Sequence, residues 1–148
     1  MFKKLVKNER GLTLIELLAV VVILGIIAAI AIPAIGGMIN NSRVDAHIAN
    51  AKQIANSARL MVTTDNLDID TTGTSITLGA LITANHIEDI TDPSSDANYD
   101  RTETTVLVIE NAEGNTEYQV QLSDGTTDYV DTPLPNAEEL DREDIINE

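Results

Sequence analysis

From Leu17 to Ile39 the chain runs through 23 residues without a charge, reading LLAVVVILGIIAAIAIPAIGGMI. Such a segment has few conformational choices. In an apolar medium every backbone N–H and C=O must find its partner within the segment, and the α-helix does this for a single stretch. At about 1.5 Å per residue the run would extend about 35 Å, enough for a hydrocarbon core about 30 Å thick. Pro33 removes one helical hydrogen bond and crowds the carbonyl four residues earlier, which predicts a kink there. Gly25 weakens the helix slightly and allows a neighbour to approach closely. Gly and Pro are also ordinary residues of membrane helices.

The flanks of this run carry the more specific signal. Lys3, Lys4, Lys7 and Arg10 stand against Glu9 in residues 1–11, a net +3, so the rest of the −15 chain holds −18. The positive-inside bias then places the N-terminus in the cytoplasm and the residues after Ile39 outside, in a single pass. Glu16 lies just inside the apolar segment, five residues after Gly11. A charged group at the centre of a bilayer costs about 2.5–3.5 kcal/mol on insertion scales, so an acid placed here asks for a function. Three readings of the N-terminus compete. A conventional secretory signal would end near Ala29-Ile30-Ala31, but the apolar run continues past that point. A plain membrane anchor accounts for the length and leaves Glu16 unexplained. A leader cut on the cytoplasmic side after Gly11 accounts for both.

The stretch Lys7-Asn8-Glu9-Arg10-Gly11-Leu12-Thr13-Leu14-Ile15-Glu16-Leu17, followed by the apolar helix with Gly25 and Pro33, resembles the class III signal of type IV pilins and pseudopilins. The resemblance covers approximately residues 7–39. It implies scission between Gly11 and Leu12 by a prepilin peptidase, N-methylation of Leu12, an assembly role for Glu16, and a helix-loosening interval from Gly25 to Pro33. Leu12 departs from the phenylalanine most usual at that position in the family. Cysteine is absent from the chain, unlike the C-terminal cysteine pair of many Gram-negative pilins, which leans toward a Gram-positive type IV pilin or a competence pseudopilin. The chemistry agrees with the resemblance: cleavage creates an ammonium at Leu12, near the Glu16 carboxylate. In a filament core the ammonium of one subunit and Glu16 of the next would offset each other's desolvation and set axial register.

Beyond Ile39 the pattern stays helical. Val44, Ile48, Ala51, Ala55, Ala58 and Val62 recur at 4-3-4-3-4 spacing, one apolar stripe. One continuous helix from about Leu14 to Met61 is expected, with a break at Gly36-Gly37 as the alternative. His47 is expected at the surface edge of this helix. Residues 63–75 read as a loop rich in Thr, Asp and Gly, and Leu78 to Ile90 as a short helix and turn. Thr104–Ile109 and Tyr118–Leu122 have β character, with a turn through Asn111–Asn115. Thr126 to Val130 is expected to add a third strand. The fold class is therefore α+β and pilin-like: a long N-terminal helix, its first half membrane-spanning, packed on a small antiparallel sheet. The organisation reads as leader (1–11), membrane or filament-core helix (12–39), amphipathic continuation (40–62), a small globular region (63–132), and an acidic C-terminal tail (133–148), either mobile or a loosely packed terminal helix.

Catalytic chemistry is not expected. Two histidines, no cysteine and no glycine-rich phosphate loop leave nothing from which to build a triad or a nucleotide site. No cofactor is implied. Asp89, Asp92, Asp96 and Asp100 share one loop and are weak calcium candidates, at a spacing that matches no standard calcium loop. A surface this acidic repels phosphate backbones, so direct DNA binding is not expected. The expected function is that of a structural subunit of a type IV pilus or pilus-like filament, held in the cytoplasmic membrane and then displayed at the cell surface. Its expected partners are further copies of itself, the prepilin peptidase, an assembly ATPase with its platform protein, and minor pilins. The alternative is a minor pilin or pseudopilin, a binding or initiation module of a DNA-uptake or type II secretion machine.

Overall fold

The structure is a computed structural model that describes residues 13–69 and 71–146. The element order is α1 (Leu14–Asp65), β1 (Thr74–Thr77), α2 (Leu78–Thr83), β2 (Thr105–Glu110), β3 (Thr116–Gln121) and a 3-10 turn, Arg142–Asp144. The chain divides into two compact units between Ile39 and Asn40.

The described part of the first unit is Thr13 and the head of α1. Its large apolar side chains are exposed, from Leu14 at 86 % to Ile39 at 50 %. By length and composition this helix can cross a membrane. Helical assignment continues through Gly25, Pro33 and Gly36-Gly37, so α1 is not broken at the glycine pair.

In the second unit α1 presents Val44, His47, Ala51, Ile54, Ala55, Ser57 and Ala58 to the core. The expected stripe is there, with Ile48 and Val62 at its margin and His47 and Ile54 at its centre. Small residues such as Ala51 and Ala58, both fully buried, let the helix lie close to what it covers. The sheet is antiparallel in the order β1-β2-β3. Ile76 faces Val106, and Val106 faces Val120, while Val108 faces Tyr118. Side chains alternate across a strand, so these residues share one face. They form a single core with the buried residues of α1. Asn111 organises the β2–β3 turn: its carboxamide oxygen accepts from the amides of Glu113 and Asn115, and Gly114 adopts φ +81°.

Two expectations about the sheet and tail are corrected. The third strand is β1, not Thr126–Val130. The latter residues make only single bridges, Ser123 to Asp128 and Val130 to Ile145. Gly73 enters β1 at φ +82°, and a Cβ there would lie 2.9 Å from Leu107 Cδ1, so the entry to β1 requires glycine. The acidic stretch from Pro133, expected as a mobile tail or a loosely packed terminal helix, is instead packed on the core over its described residues. Ala137, Leu140 and Ile145 are buried. The Ala137 amide donates to the Tyr118 carbonyl at 2.7 Å, which covers the outer edge of β3. Asp141 caps the 3-10 turn, and Arg142 reaches back to Asp45 on α1 with Nε and Nη2 contacts of 2.7 and 2.6 Å. Acids dilute the apolar residues of this segment in the sequence, but spaced contacts suffice to bury it.

Candidate functional site

The first four amides of an α-helix lack intrahelical partners, and a threonine just before the first turn supplies one. Thr13 takes this place: its Oγ1 accepts from the Glu16 amide at 3.3 Å, and its carbonyl accepts from the Leu17 amide at 3.0 Å. Glu16 is thus in the first turn of α1, where a carboxylate is favoured by the positive end of the helix dipole. Thr13-x-x-Glu16 is the spacing of a capping box. That signal is contiguous in the sequence and marks the start of α1 there. The Glu16 side chain is exposed. Gly11 and Leu12, the expected scission and methylation residues, lie outside the described residues. Gly25 and Pro33 sit on the exposed apolar part of α1, and nothing lies within 4 Å of a Cβ built on Gly25.

The second polar assembly was not expected. His47 is 2 % exposed, not at the surface edge. Its Nδ1 is 2.6 Å from the Tyr99 hydroxyl and its Nε2 is 2.8 Å from Ser94 Oγ. Asn50 Nδ2 donates to the same Tyr99 oxygen at 3.3 Å, which directs the Tyr99 proton toward Nδ1. The proton of neutral His47 then resides on Nε2, facing Ser94 and, at 3.7 Å, Asp92 Oδ1. Asp92 is 1 % exposed. It accepts from the Ser94 amide at 2.8 Å, from Ser95 Oγ at 3.0 Å and from the Tyr129 hydroxyl at 2.7 Å. Burial pushes the His47 pKa below the usual histidine range, against the opposing pull of Asp92. Burial pushes the Tyr99 and Tyr129 hydroxyls up, helped at Tyr129 by the bond to Asp92. A histidine alone at helical spacing gives no sign of this. The network needs partners 45 and more residues away, from Asp92 to Tyr129.

The four calcium candidates do not converge. Asp89 pairs with Arg101, through Nε at 2.9 Å and through Nη2. Asp92 is committed to the buried network. Asp100 accepts from the Thr102 hydroxyl at 2.7 Å and from the amides of Glu103 and Thr102 at 2.8 and 2.7 Å, bonds that hold its carboxyl below the usual range. Asp96 is exposed. Among the described residues no group of three or more His, Cys, Asp or Glu side chains is placed to hold a metal ion.

Residues 6–32 match the family model of the prokaryotic N-terminal methylation motif. No curated protein and no solved structure matches the chain. Members of the pilin family are structural, non-enzymatic proteins. With the motif heading a hydrophobic helix, and that helix continuing onto a three-stranded antiparallel sheet, the chain has a pilin-like α+β architecture and carries the class III prepilin signal typical of type IV pilins and pseudopilins.

Proposed function

We propose that the chain is the structural subunit of a type IV pilus or pilus-like filament, assembled through its hydrophobic N-terminal helix. The observation that carries this reading is the methylation motif over residues 6–32 at the head of an apolar helix whose side chains from Leu14 to Ile39 are exposed. The basic leader stays on the cytoplasmic side and the residues from Asn40 face outward, as the positive-inside bias dictates. A prepilin peptidase cuts between Gly11 and Leu12, leaving no side chain before the scissile bond, and the new amino group of Leu12 is methylated. An assembly ATPase and its platform protein then move subunits from lipid into the fibre, with minor pilins as further partners. Each subunit exchanges lipid contacts for neighbouring helices, and the Gly25–Pro33 interval is where the helix loosens to fit them.

Glu16 has two roles in this reading. Within its own subunit it sits in the first helical turn, at the position where the dipole favours an acid. Between subunits it pairs with the Leu12 ammonium of the neighbour, and a pair so placed fixes axial register. Glu16→Gln keeps the side-chain length and removes the charge; the dipole contribution it gives up in an exposed first turn is only about 0.3–1 kcal/mol, so a large loss of filament reads the pairing. The expected result is a variant that is processed and retained in the membrane but yields little filament. Wild-type filament yield from Glu16→Gln would end the pairing role. Mass spectrometry of the mature chain is expected to find an N-methylated Leu12 at its start; a start near Ile32 would overturn the prepilin reading as a whole.

A further inference from the structure

After the leader the chain has five basic side chains, Arg43, Lys52, Arg59, Arg101 and Arg142, and Lys52 is the only lysine among them. Three arginines are used internally: Arg59 on Glu138 at 2.7 Å, Arg101 on Asp89, and Arg142 on Asp45 at 2.6 Å. Arg43 and Lys52 have no carboxylate partner among the described residues. Lys52 differs from Arg43 in its setting. It is half-buried and lines a cavity of about 110 Å³ together with Asn56, Arg59, Tyr118, Asn136 and Glu138. Arg59 is fixed there, its guanidinium 4.9 Å above the Tyr118 ring and bonded to Asn56 Oδ1 at 3.2 Å. Two cations against Glu138 leave the cavity positive on a chain that is otherwise strongly acidic.

We infer that this cavity between α1 and the Asn136–Glu138 segment is an intersubunit contact, in which Lys52 receives a carboxylate side chain from a second copy of the chain. Charge complementarity supplies the argument. Copies that each carry −18 after leader removal repel one another, and the repulsion between their polar surfaces is relieved where a cation meets an acid across the contact. The internally paired arginines are already neutralised by their own acids. Lys52 has an open, partly desolvated cavity beside it, which strengthens a charge pair relative to one in bulk water. The inference rests on the filament reading above.

The test is zero-length carbodiimide cross-linking of filaments sheared from cells that make equal amounts of isotopically light and heavy chains. Lys52 offers the sole side-chain amine of the processed subunit, so a Lys52 cross-link identifies its acid directly. The expected product is a mixed light–heavy peptide joining Lys52 to an Asp or Glu. Lys52→Gln is expected to lower filament yield severalfold with unchanged processing, and Lys52→Arg to restore it. Filaments whose Lys52 links only within one chain, to Glu138, or to another protein, or not at all, would overturn the inference and leave the filament reading standing. Absence of filaments on the cell surface by electron microscopy would overturn that reading and this inference with it.

Discussion

His47, Tyr99 and Tyr129 place ionisable groups where little water reaches them, and each then resists the charged form in its own pH range. His47 has a folded pKa below its unfolded value of about 6.5 because burial penalises the imidazolium. Above that value both states are neutral and nothing is lost. As pH falls below about 6.5 the unfolded chain takes up a proton that the folded chain refuses, and stability declines until the folded pKa is reached. Tyr99 and Tyr129 act in the opposite sense. Burial raises their folded pKa values, so their contribution is fully present below about 10 and is lost as pH rises beyond it. The groups facing His47 are Tyr99, Asp92, Ser94 and the Tyr129 ring, whose centroid is 4.3 Å away, and of these Asp92 is the one that opposes the shift. Full-length protein in detergent is therefore expected to show a stability plateau between about pH 6.5 and 10, followed by denaturant titration of the tyrosine near-ultraviolet signal. All three tyrosines are buried in the second unit and the chain has no tryptophan, so the signal reports that unit. His47→Gln should lower the plateau, by about 1–3 kcal/mol for the disturbed buried hydrogen bonds, and flatten its acid limb. An acid limb unchanged in this variant would mean that another group sets it.

At the scale of elements, the C-terminal segment separates packing from charge. Leu140 is 4 % exposed within the core, whereas the Arg142–Asp45 pair, though two-pronged, is open to solvent on both sides. Leu140→Ala is expected to destabilise the second unit by about 2–4 kcal/mol through lost burial and the cavity left behind. Arg142→Ala should cost much less, because an exposed pair gains little over hydration. Equal losses in chemical denaturation would show that the segment is held by the ion pair instead. The same segment marks how far the sequence could be read. Long periodic elements were legible: the α1 stripe from Val44 to Val62 and the β2–β3 hairpin carry enough repeats for the period to declare itself. So was the class III signal, because its residues are contiguous. Ala137, Leu140 and Ile145 were not legible as core, since three apolar residues among acids have no period. β1 is a four-residue strand, Thr74–Thr77, with one apolar side chain, Ile76, and its pairing with β2 is set by tertiary packing. Thr126–Val130 has the β-branched composition of a strand, yet its backbone groups are taken by Asp124, Gln121 and Leu122 in a tight loop. The His47 network depends on contacts across 45 and more positions, which no local pattern encodes.

At the scale of the whole molecule the balance is between long-range repulsion and short-range pairing. A processed subunit holds −18, and its basic groups are five against that excess. At about 0.01 M salt the Debye length is about 30 Å, so each subunit feels the acids of its neighbours over much of their surface. At about 0.15 M it is about 8 Å, and only charges near contact still interact. Screening therefore removes most of the repulsion first. Pairs at contact distance, and partly desolvated ones such as that inferred at Lys52, are weakened less. Apolar packing of the α1 heads is not weakened at all by such salt. Sheared filaments are accordingly expected to persist better at 0.15 M than at 0.01 M sodium chloride (about four Debye lengths against about one for the same separation), with the pelletable fraction after high-speed sedimentation as the readout. A pelletable fraction that falls steadily as salt rises from 0.01 M would mean that attractive ion pairs, and not apolar helix packing against a repulsive background, hold the fibre together.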